Sequence, residues 1–376
     1  IMSTLRADAI RHNSATSDAI TTHSDGTASA KIIDVGGGQL SHRNIVVNGA
    51  MTVAQRGVSG TTSGYASVDR FETTYSGTDE APTQSQHTLS SSDNPYAEGF
   101  RYSYHVTNGN QTSGAGASDY VRLRYKAEAQ DMASCGWNYT SASSFITLSF
   151  WVKASVTQTY YVQMRTSDGT NKSYYFPMNL SANTWTKVTH SIPGHADISF
   201  DNDTNEGIYI AWYPYRGTNN TGSGQDANQW NDWNGSTITP DQTTTWYTTN
   251  DATFEITGVQ LEVGDTATSF EHRSYADELA RCQRYYEDTF VMTDAGNNYV
   301  RVPVLYKVEK RAAGNPVSYA KRPDGVGTGA ANKAYQANGE RSATCNYSWT
   351  GGTMLYVSGY SQDYDCFGNI RVEADL

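Results

Sequence analysis

Through the middle of the chain, apolar side chains recur at every second position. The cleanest run is 145–153, where Ile146, Leu148, Phe150 and Val152 alternate with Phe145, Thr147, Ser149 and Trp151. Successive side chains of a strand point to opposite faces, so this alternation predicts strands with one face turned to a core. The same reading gives strands at 100–106, 120–125, 145–153, 159–166, 186–192 and 207–213, with a further one opening at Asp69-Arg70-Phe71. Ile45 and Val47 alternate before an Asn48-Gly49 turn signal and predict a first strand near Arg43. Many short strands separated by polar turns predict an all-β, antiparallel jelly-roll sandwich. In such a fold the first and last strands lie close together, which places 253–263 beside 43–53.

The stretch 253–290 carries two periods in succession. Phe254, Ile256 and Gly258 share one face, then the apolar phase moves to Val259, Leu261 and Val263. That one-residue slip predicts a β-bulge at the glycine. Ser274 stands three residues before Asp277, a capping-box spacing. Tyr275, Leu279, Cys282 and Tyr286 follow at helical spacing and predict one apolar face of a short helix. Asp277 and Glu278 in its first turn, with Arg281 and Arg284 toward its last, suit the helix dipole.

The flanks differ from this middle. Residues 1–43 hold isolated Ile10, Ile20, Ile32 and Ile33, too far apart to build a core, and repeat one Asp-Ala-Ile tripeptide at 8–10 and 18–20. Such a segment is an extended N-terminal arm that stays disordered or orders on other subunits, and Gly36-Gly37-Gly38 gives it a joint. Residues 291–376 read as a small C-terminal β domain. Val300, Val302, Val304, Tyr306 and Val308 alternate, Pro303 marks an edge position, and a Gly/Ala/Asn-rich loop fills 323–339. Gly351-Gly352 turns a hairpin into a strand at 353–360, and Ile370, Val372, Ala374 and Leu376 alternate in the last strand. With so little apolar material this unit needs a neighbour to pack on. The expected order is therefore an arm (1–43), a jelly roll (44–272), a linking helix (273–290) and a C-terminal β domain (291–376).

The net charge of −11 argues against nucleic acid, because phosphate contacts need clustered Lys and Arg. No apolar run approaches the ~18 residues of a membrane span, and the first residues show no charged-then-apolar secretory pattern. Cys135, Cys282, Cys345 and Cys366 lack CxxC spacing and a paired His, so no zinc site is expected. Cys282 is expected to act as a small buried hydrophobe.

Three regions of the chain carry a resemblance. Residues 256–287, ITGVQLEVGDTATSFEHRSYADELARCQRYYE, resemble a segment of tail-fibre and other virion proteins of bacteriophages, marine and cyanobacterial phages among them. The shared pattern is GVQLEVG, a few small residues, FEHR, a short helix and CQRYY. RNIVVNGAMTVAQRG at 43–57 resembles the opening of the same domains, and DAIRHNSATSDAIT with SDGTASAKI resembles the N-terminal part of some tail-fibre proteins. The resemblance implies a non-enzymatic virion protein, a tail fibre before all else, that attaches the particle to the host cell surface. It further implies a homotrimer, held to other virion proteins by the arm and bound to a host glycan or protein. Its place would be the virion, at the tail, after assembly in the host's bacterial cytoplasm, where Cys345 and Cys366 would stay reduced. A capsid-bound fibre or decoration protein and a polysaccharide-depolymerising tail spike remain as alternatives. The jelly roll is shared with many carbohydrate-binding modules, which by itself assigns no function.

The densest aromatic region follows residue 211: Trp212, Tyr213, Tyr215, Arg216, Trp230, Trp233, Trp246 and Tyr247, set among Asn, Asp, Gln and Thr. Sugars stack their C–H faces on aromatic rings while short polar groups bond the hydroxyls, so these residues are the candidate glycan site. The alternative is that the rings pin a loop of ~30 residues onto the sheet. The acidic chain is expected to prefer polar, neutral surface features.

Other chemistry finds little support. Asp201, Asp203, Asn205 and Glu206 look superficially like a calcium loop, but Glu206 and Trp212 stand where an EF-hand needs Gly and Glu, so a solvated acidic turn is expected. Glu255, Glu262, Asp69 and Glu72 form no pair suited to glycoside hydrolysis, and no GxSxG, HExxH or P-loop pattern occurs. No enzyme activity, cofactor or metal is expected. The eight His are dispersed; His272 reads as a turn residue, and His12 and His23 as lone polar arm residues, with stacking around a trimer axis as the alternative.

Overall fold

The computed structural model describes residues 42–223, 225–293, 299–313, 316–319, 331, 333–336, 339–358 and 366–375, with short pieces at 9–10, 20–22, 24 and 28–30. The chain is all-β, and its centre is an antiparallel jelly-roll sandwich. The sandwich strands are β1 (Phe71–Ser76), β2 (Thr83–Thr88), β3 (Tyr102–Thr107), β4 (Tyr120–Glu128), β5 (Phe145–Ala154), β6 (Gln158–Thr166), β7 (Lys172–Leu180), β8 (Thr186–Pro193), β9 (Glu206–Arg216), β10 (Trp230–Asp232) and β11 (Thr253–Val263). One sheet has the order β10-β7-β6-β9-β4-β1. The other runs β8-β5-β11-β3-β2 and ends on the two-residue strand Ser59–Gly60.

The alternation predicted from sequence decides which side chains meet. Ile146, Leu148, Phe150 and Val152 of β5 face Val121, Leu123 and Tyr125 of β4 and Val162, Met164, Ile208, Ile210 and Trp212 across one core. Burying such side chains contributes about 1.5–3 kcal/mol each before the entropy of ordering is subtracted. In β11 the register shifts between Thr257 and Gln260, and Gly258 takes φ +62° with Phe100 packed where its Cβ would stand. The bulge at the glycine is therefore present. It turns both Ile256 and Val259 inward.

Residues 43–53 lie beside β11, as expected, but not as a strand. Ile45 N–H donates to Leu261 O (2.9 Å) and Val259 N–H to Gly49 O (2.9 Å), and the backbone between them is a run of turns. Asn48 is the reason. It adopts φ +61°, and its side chain bonds Val53 O, Asp69 O and Val53 N–H (2.9, 2.8 and 3.0 Å), so the local side-chain bonds displace a ladder.

The helix Tyr275–Gln283 is capped by Ser274, whose Oγ accepts from Asp277 N–H (3.2 Å). Its buried face is narrower than predicted. Cys282 is buried and Leu279 packs against the same cluster, but Tyr275 is 59% exposed and Tyr286 already belongs to the next strand. That helix leads into a second antiparallel sheet built from Tyr286–Thr293, Tyr299–Leu305, Val317–Tyr319, Lys333–Gln336, Gly339–Trp349, Gly352–Ser358 and Cys366–Glu373. Tyr299–Leu305 is an edge strand, so Pro303 sits where a missing donor is tolerated. Gly352–Ser358 pairs with Gly339–Trp349 across the predicted hairpin turn. Cys345 is a free thiol. Within the first forty residues Ala9–Ile10, Ile20–Thr22 and Ala28–Ala30 form a small antiparallel sheet. His12, His23 and most of the 323–339 loop lie outside the described residues. Among the described residues no helix is long and apolar enough to cross a membrane.

Candidate functional site

The aromatic candidates divide into two groups by burial. Trp212 lies on the inward parity of β9, edge-on to Phe150 at 5.6 Å, and is fully buried. Trp246 and Tyr247 sit on the one-turn helix Thr245–Thr248, which plugs the end of the sandwich. Trp246 donates to Thr253 O (3.0 Å), and the Tyr247 ring lies 4.6 Å from that of Tyr215. Tyr213 is buried on the outer face, where its hydroxyl donates to Gln163 Oε1 (2.7 Å) under a cluster with Tyr209, Ala211 and Ile238. A ring with no free face cannot stack on a sugar, so Trp212, Tyr213, Tyr215, Trp246 and Tyr247 are packing residues. Arg216 is also buried.

Two candidates remain partly open. Trp230 packs against Tyr174 and donates to Pro193 O (2.6 Å), anchoring β10 to the sheet. Trp233 follows directly, with its backbone N–H on Asn171 O (3.0 Å) and its ring stacked on the Arg165 guanidinium at 3.9 Å. Its indole Nε1 has no partner in the protein. The ring lines an open groove of about 610 Å³ together with Gln225, Asn231, Asp232, Asn234, Gly235 and Thr237. The loop forming this groove is fixed by Ile238 N–H to Asn220 O (2.9 Å), Gly222 N–H to Thr239 O (3.0 Å) and Asn220 Nδ2 to Gly235 O (2.7 Å). An indole beside amides and one carboxylate has the chemistry to hold a sugar ring.

Behind this groove the outer face of the sheet is basic. In YVRLRYK the inward Val121, Leu123 and Tyr125 alternate with Arg122, Arg124 and Lys126. Arg165 on β6 and Arg216 at the end of β9 join them. Between Trp212 and Tyr215 the β9 register shifts against β4; Pro214, which has no N–H to donate, lies in that bulge. The shift returns Arg216 to the outer face. Glu72 pairs with Arg124 and lies 3.4 Å from Lys126, which is also 3.8 Å from Glu206. This face was legible in the i, i+2, i+4 spacing of its cations, a signal the aromatic count obscured.

On the opposite sheet, His87, His105 and Glu255 converge, which their sequence separation concealed. Lys153 Nζ lies 2.9 Å from Glu255, and Ser103 Oγ donates to it at 2.9 Å. Ligands of these types could hold a cation, but the lysine already supplies positive charge to the carboxylate. Burial alone would raise the Glu255 carboxyl; His105 and Lys153 outweigh that and hold it at about 2. Its folded value lies below the ordinary 4.5. The stabilisation is therefore complete above pH ~4.5 and is lost as pH falls toward 2, about 3 kcal/mol in all. In urea titrations between pH 5 and 2.5, Glu255→Gln should show a shallower loss of stability than the wild type. Parallel curves would refute the assignment.

The remaining candidates are structural. His272 Nε2 donates to Glu98 O at 2.9 Å and its ring packs on Phe100 and Phe270, as a turn residue should. Asp201 Oδ1 accepts from Asp203 N–H (3.3 Å) and Asp203 Oδ1 from Asn205 N–H (2.7 Å), so these acids shape an exposed turn.

No protein-family model matches the chain, and no curated protein matches it. Among solved structures, similarity is found to a family 16 carbohydrate-binding module (12% identity, 47% of this chain and 84% of that one, TM-score 0.24). It is also found to the N-terminal cellulose-binding domain of a Cellulomonas fimi β-1,4-glucanase (9%, 57% and 99%, TM-score 0.26) and to a cyclase from Fischerella (9%, 54% and 77%, TM-score 0.25). Scores this low carry no functional weight.

Proposed function

We propose that this chain is a bacteriophage virion protein, a tail fibre without enzymatic activity, whose jelly roll binds glycans of the host surface in the groove beside Trp233. The groove carries the glycan reading: a half-open indole, backed by Arg165 and surrounded by Asn231, Asp232, Asn234 and Gln225, on a loop fixed to a rigid sheet. The fibre reading rests on the resemblance of 43–57 and 256–287 to phage virion proteins. These two stretches, far apart in sequence, pack together as one unit through Ile45, Gly49, Val259 and Leu261. In a trimer, weak contacts at each copy would add through effective concentration.

Gold-labelled antibody against the chain, imaged on intact virions, tests the fibre reading. Label at the tail is expected, and label on the head shell would replace it with a capsid-bound fibre or decoration protein. For the glycan reading, Trp233→Ala is expected to lower retention on a glycan array of host surface polysaccharide roughly tenfold or more while leaving the melting temperature close to that of the wild type. Unchanged retention would remove the groove from the reading. Release of reducing ends from host polysaccharide would overturn the non-enzymatic assignment.

A further inference from the structure

The basic face behind the groove is anomalous in a chain of net charge −11. Arg122, Arg124, Lys126, Arg165 and Arg216 share it, and the carboxylates beside it, Glu72 and Glu206, are engaged by Arg124 and Lys126. Arg122 and Arg216 have aromatic rings where counter-ions would be expected. Both guanidinium groups stand against the Tyr120 ring, at 5.7 and 5.3 Å, and Arg216 also lies 5.3 Å from the Tyr213 ring. Arg122 Nε donates to Thr74 Oγ1 at 3.1 Å. Arg216 is only 8% exposed, yet its Nε and one terminal nitrogen have no partner in the protein.

A buried guanidinium with open donors is costly unless something accepts from it. Burial, with the charge of Arg122 adding to it, pulls the Arg216 guanidinium below its ordinary value despite the neighbouring tyrosines. The planar fork of a guanidinium fits the paired oxygens of a carboxylate, sulfate or phosphate. Tyrosine rings flank both guanidinium groups.

We propose that Arg122 and Arg216 form a subsite for the anionic group of an acidic glycan (a uronate, sulfate or phosphate) whose neutral part lies in the Trp233 groove. This deepens the glycan reading and rests on it. It also replaces the expectation of neutral ligands: the net charge of the chain is negative, but the recognising face is not. Selectivity then comes from the local field, which decays over about 8–10 Å at moderate salt, so distant acidic residues count for little.

The test is affinity electrophoresis of the full chain through polygalacturonate, dextran sulfate and neutral dextran, with Arg122→Gln, Arg216→Gln and, as a control cation on another surface, Arg101→Gln. Expected are retardation by the two acidic polymers and not by dextran, a loss of about tenfold or more in affinity for Arg122→Gln and Arg216→Gln, and wild-type behaviour of Arg101→Gln. Arg122 is less deeply buried than Arg216, so it carries the test if Arg216→Gln fails to fold. Equal retardation by dextran, insensitive to Arg122→Gln, would overturn the anionic subsite and leave the glycan reading standing. Equal losses for Arg101→Gln and Arg122→Gln would mean diffuse charge and overturn it too. No retardation by either acidic polymer, with Trp233-dependent array binding intact, would refute the subsite alone. If array binding is also absent, both readings fall.

Discussion

Gly49→Val should unfold the sandwich at temperatures where the wild type is intact, lowering its stability by about 3–5 kcal/mol. A Cβ at residue 49 would stand 2.0 Å from Val259 O and 3.3 Å from Asn44 Nδ2. The backbone there cannot retreat. Val259 N–H is bonded to Gly49 O, and Val259 O accepts from Asn44 Nδ2 (3.1 Å). Making room therefore breaks two buried hydrogen bonds and separates the first segment of the sandwich from its last strand. Gly57→Ala is the comparison: Gly57 has φ +119° but no atom within 4 Å of the added methyl, so only backbone strain of about 1–2 kcal/mol applies. Thermal and urea denaturation of the two variants reads the difference. Equal effects would mean that close approach at Gly49 is not what holds the two segments together.

Glu287→Ala should cost a similar 3–5 kcal/mol, for a different reason. Lys310 and Glu287 form an ion pair at 2.7 Å with both side chains fully buried. Glu287 also accepts from Lys307 N–H at 3.1 Å, and the ammonium donates to Val308 O at 2.9 Å. Removing the carboxylate leaves a buried cation short of its charge partner. Replacing both members, Glu287→Leu with Lys310→Met, should recover most of the loss, because apolar groups of similar size need no compensation. Urea midpoints of the single and double variants decide it. A single variant within 1 kcal/mol of the wild type would show that water reaches Lys310.

The strands were legible wherever one face is apolar. β5 alternates without a break, and β11 announces its bulge by a phase slip at the one residue that tolerates φ +62°. Besides the short β10 and Ser59–Gly60, two longer sandwich strands were missed for identifiable reasons. β2 reads TQSQHT and has no apolar side chain at all; its buried Gln84 is satisfied by Tyr104 Oη and by Thr62 and Gly64 carbonyls. β7 contains Pro177, which demotes a strand in sequence. In the fold β10 covers only Lys172 to Tyr174, so Pro177 lies along an open edge of β7.

At the candidate site the sequence showed where rings are dense but not which ones are open. For Trp212 the parity that buries Ile208 and Ile210 was sufficient to bury it as well. For Trp246, Tyr247 and Trp233 no local period applies, and their exposure depends on how a loop closes over the sheet. The Arg122–Arg216 pairing depends on the register shift in β9, which leaves no composition signal.

The junction of 43–53 with the last strand and the helix also has a mechanical side. Glu271 accepts from the backbone N–H groups of His42 (2.6 Å) and Asn44 (2.8 Å), Arg273 donates to Val46 O at 3.2 Å, and Glu278 accepts from Asn48 N–H. These bonds line up along a few consecutive residues at the point where the chain enters the sandwich. A pull on the preceding segment would load them side by side, not one after another, so they must fail together. Tension applied through the N-terminal segment would thus be borne first by side chains of 271–278, outside the core, and the sheet that carries the basic face would keep its shape under load.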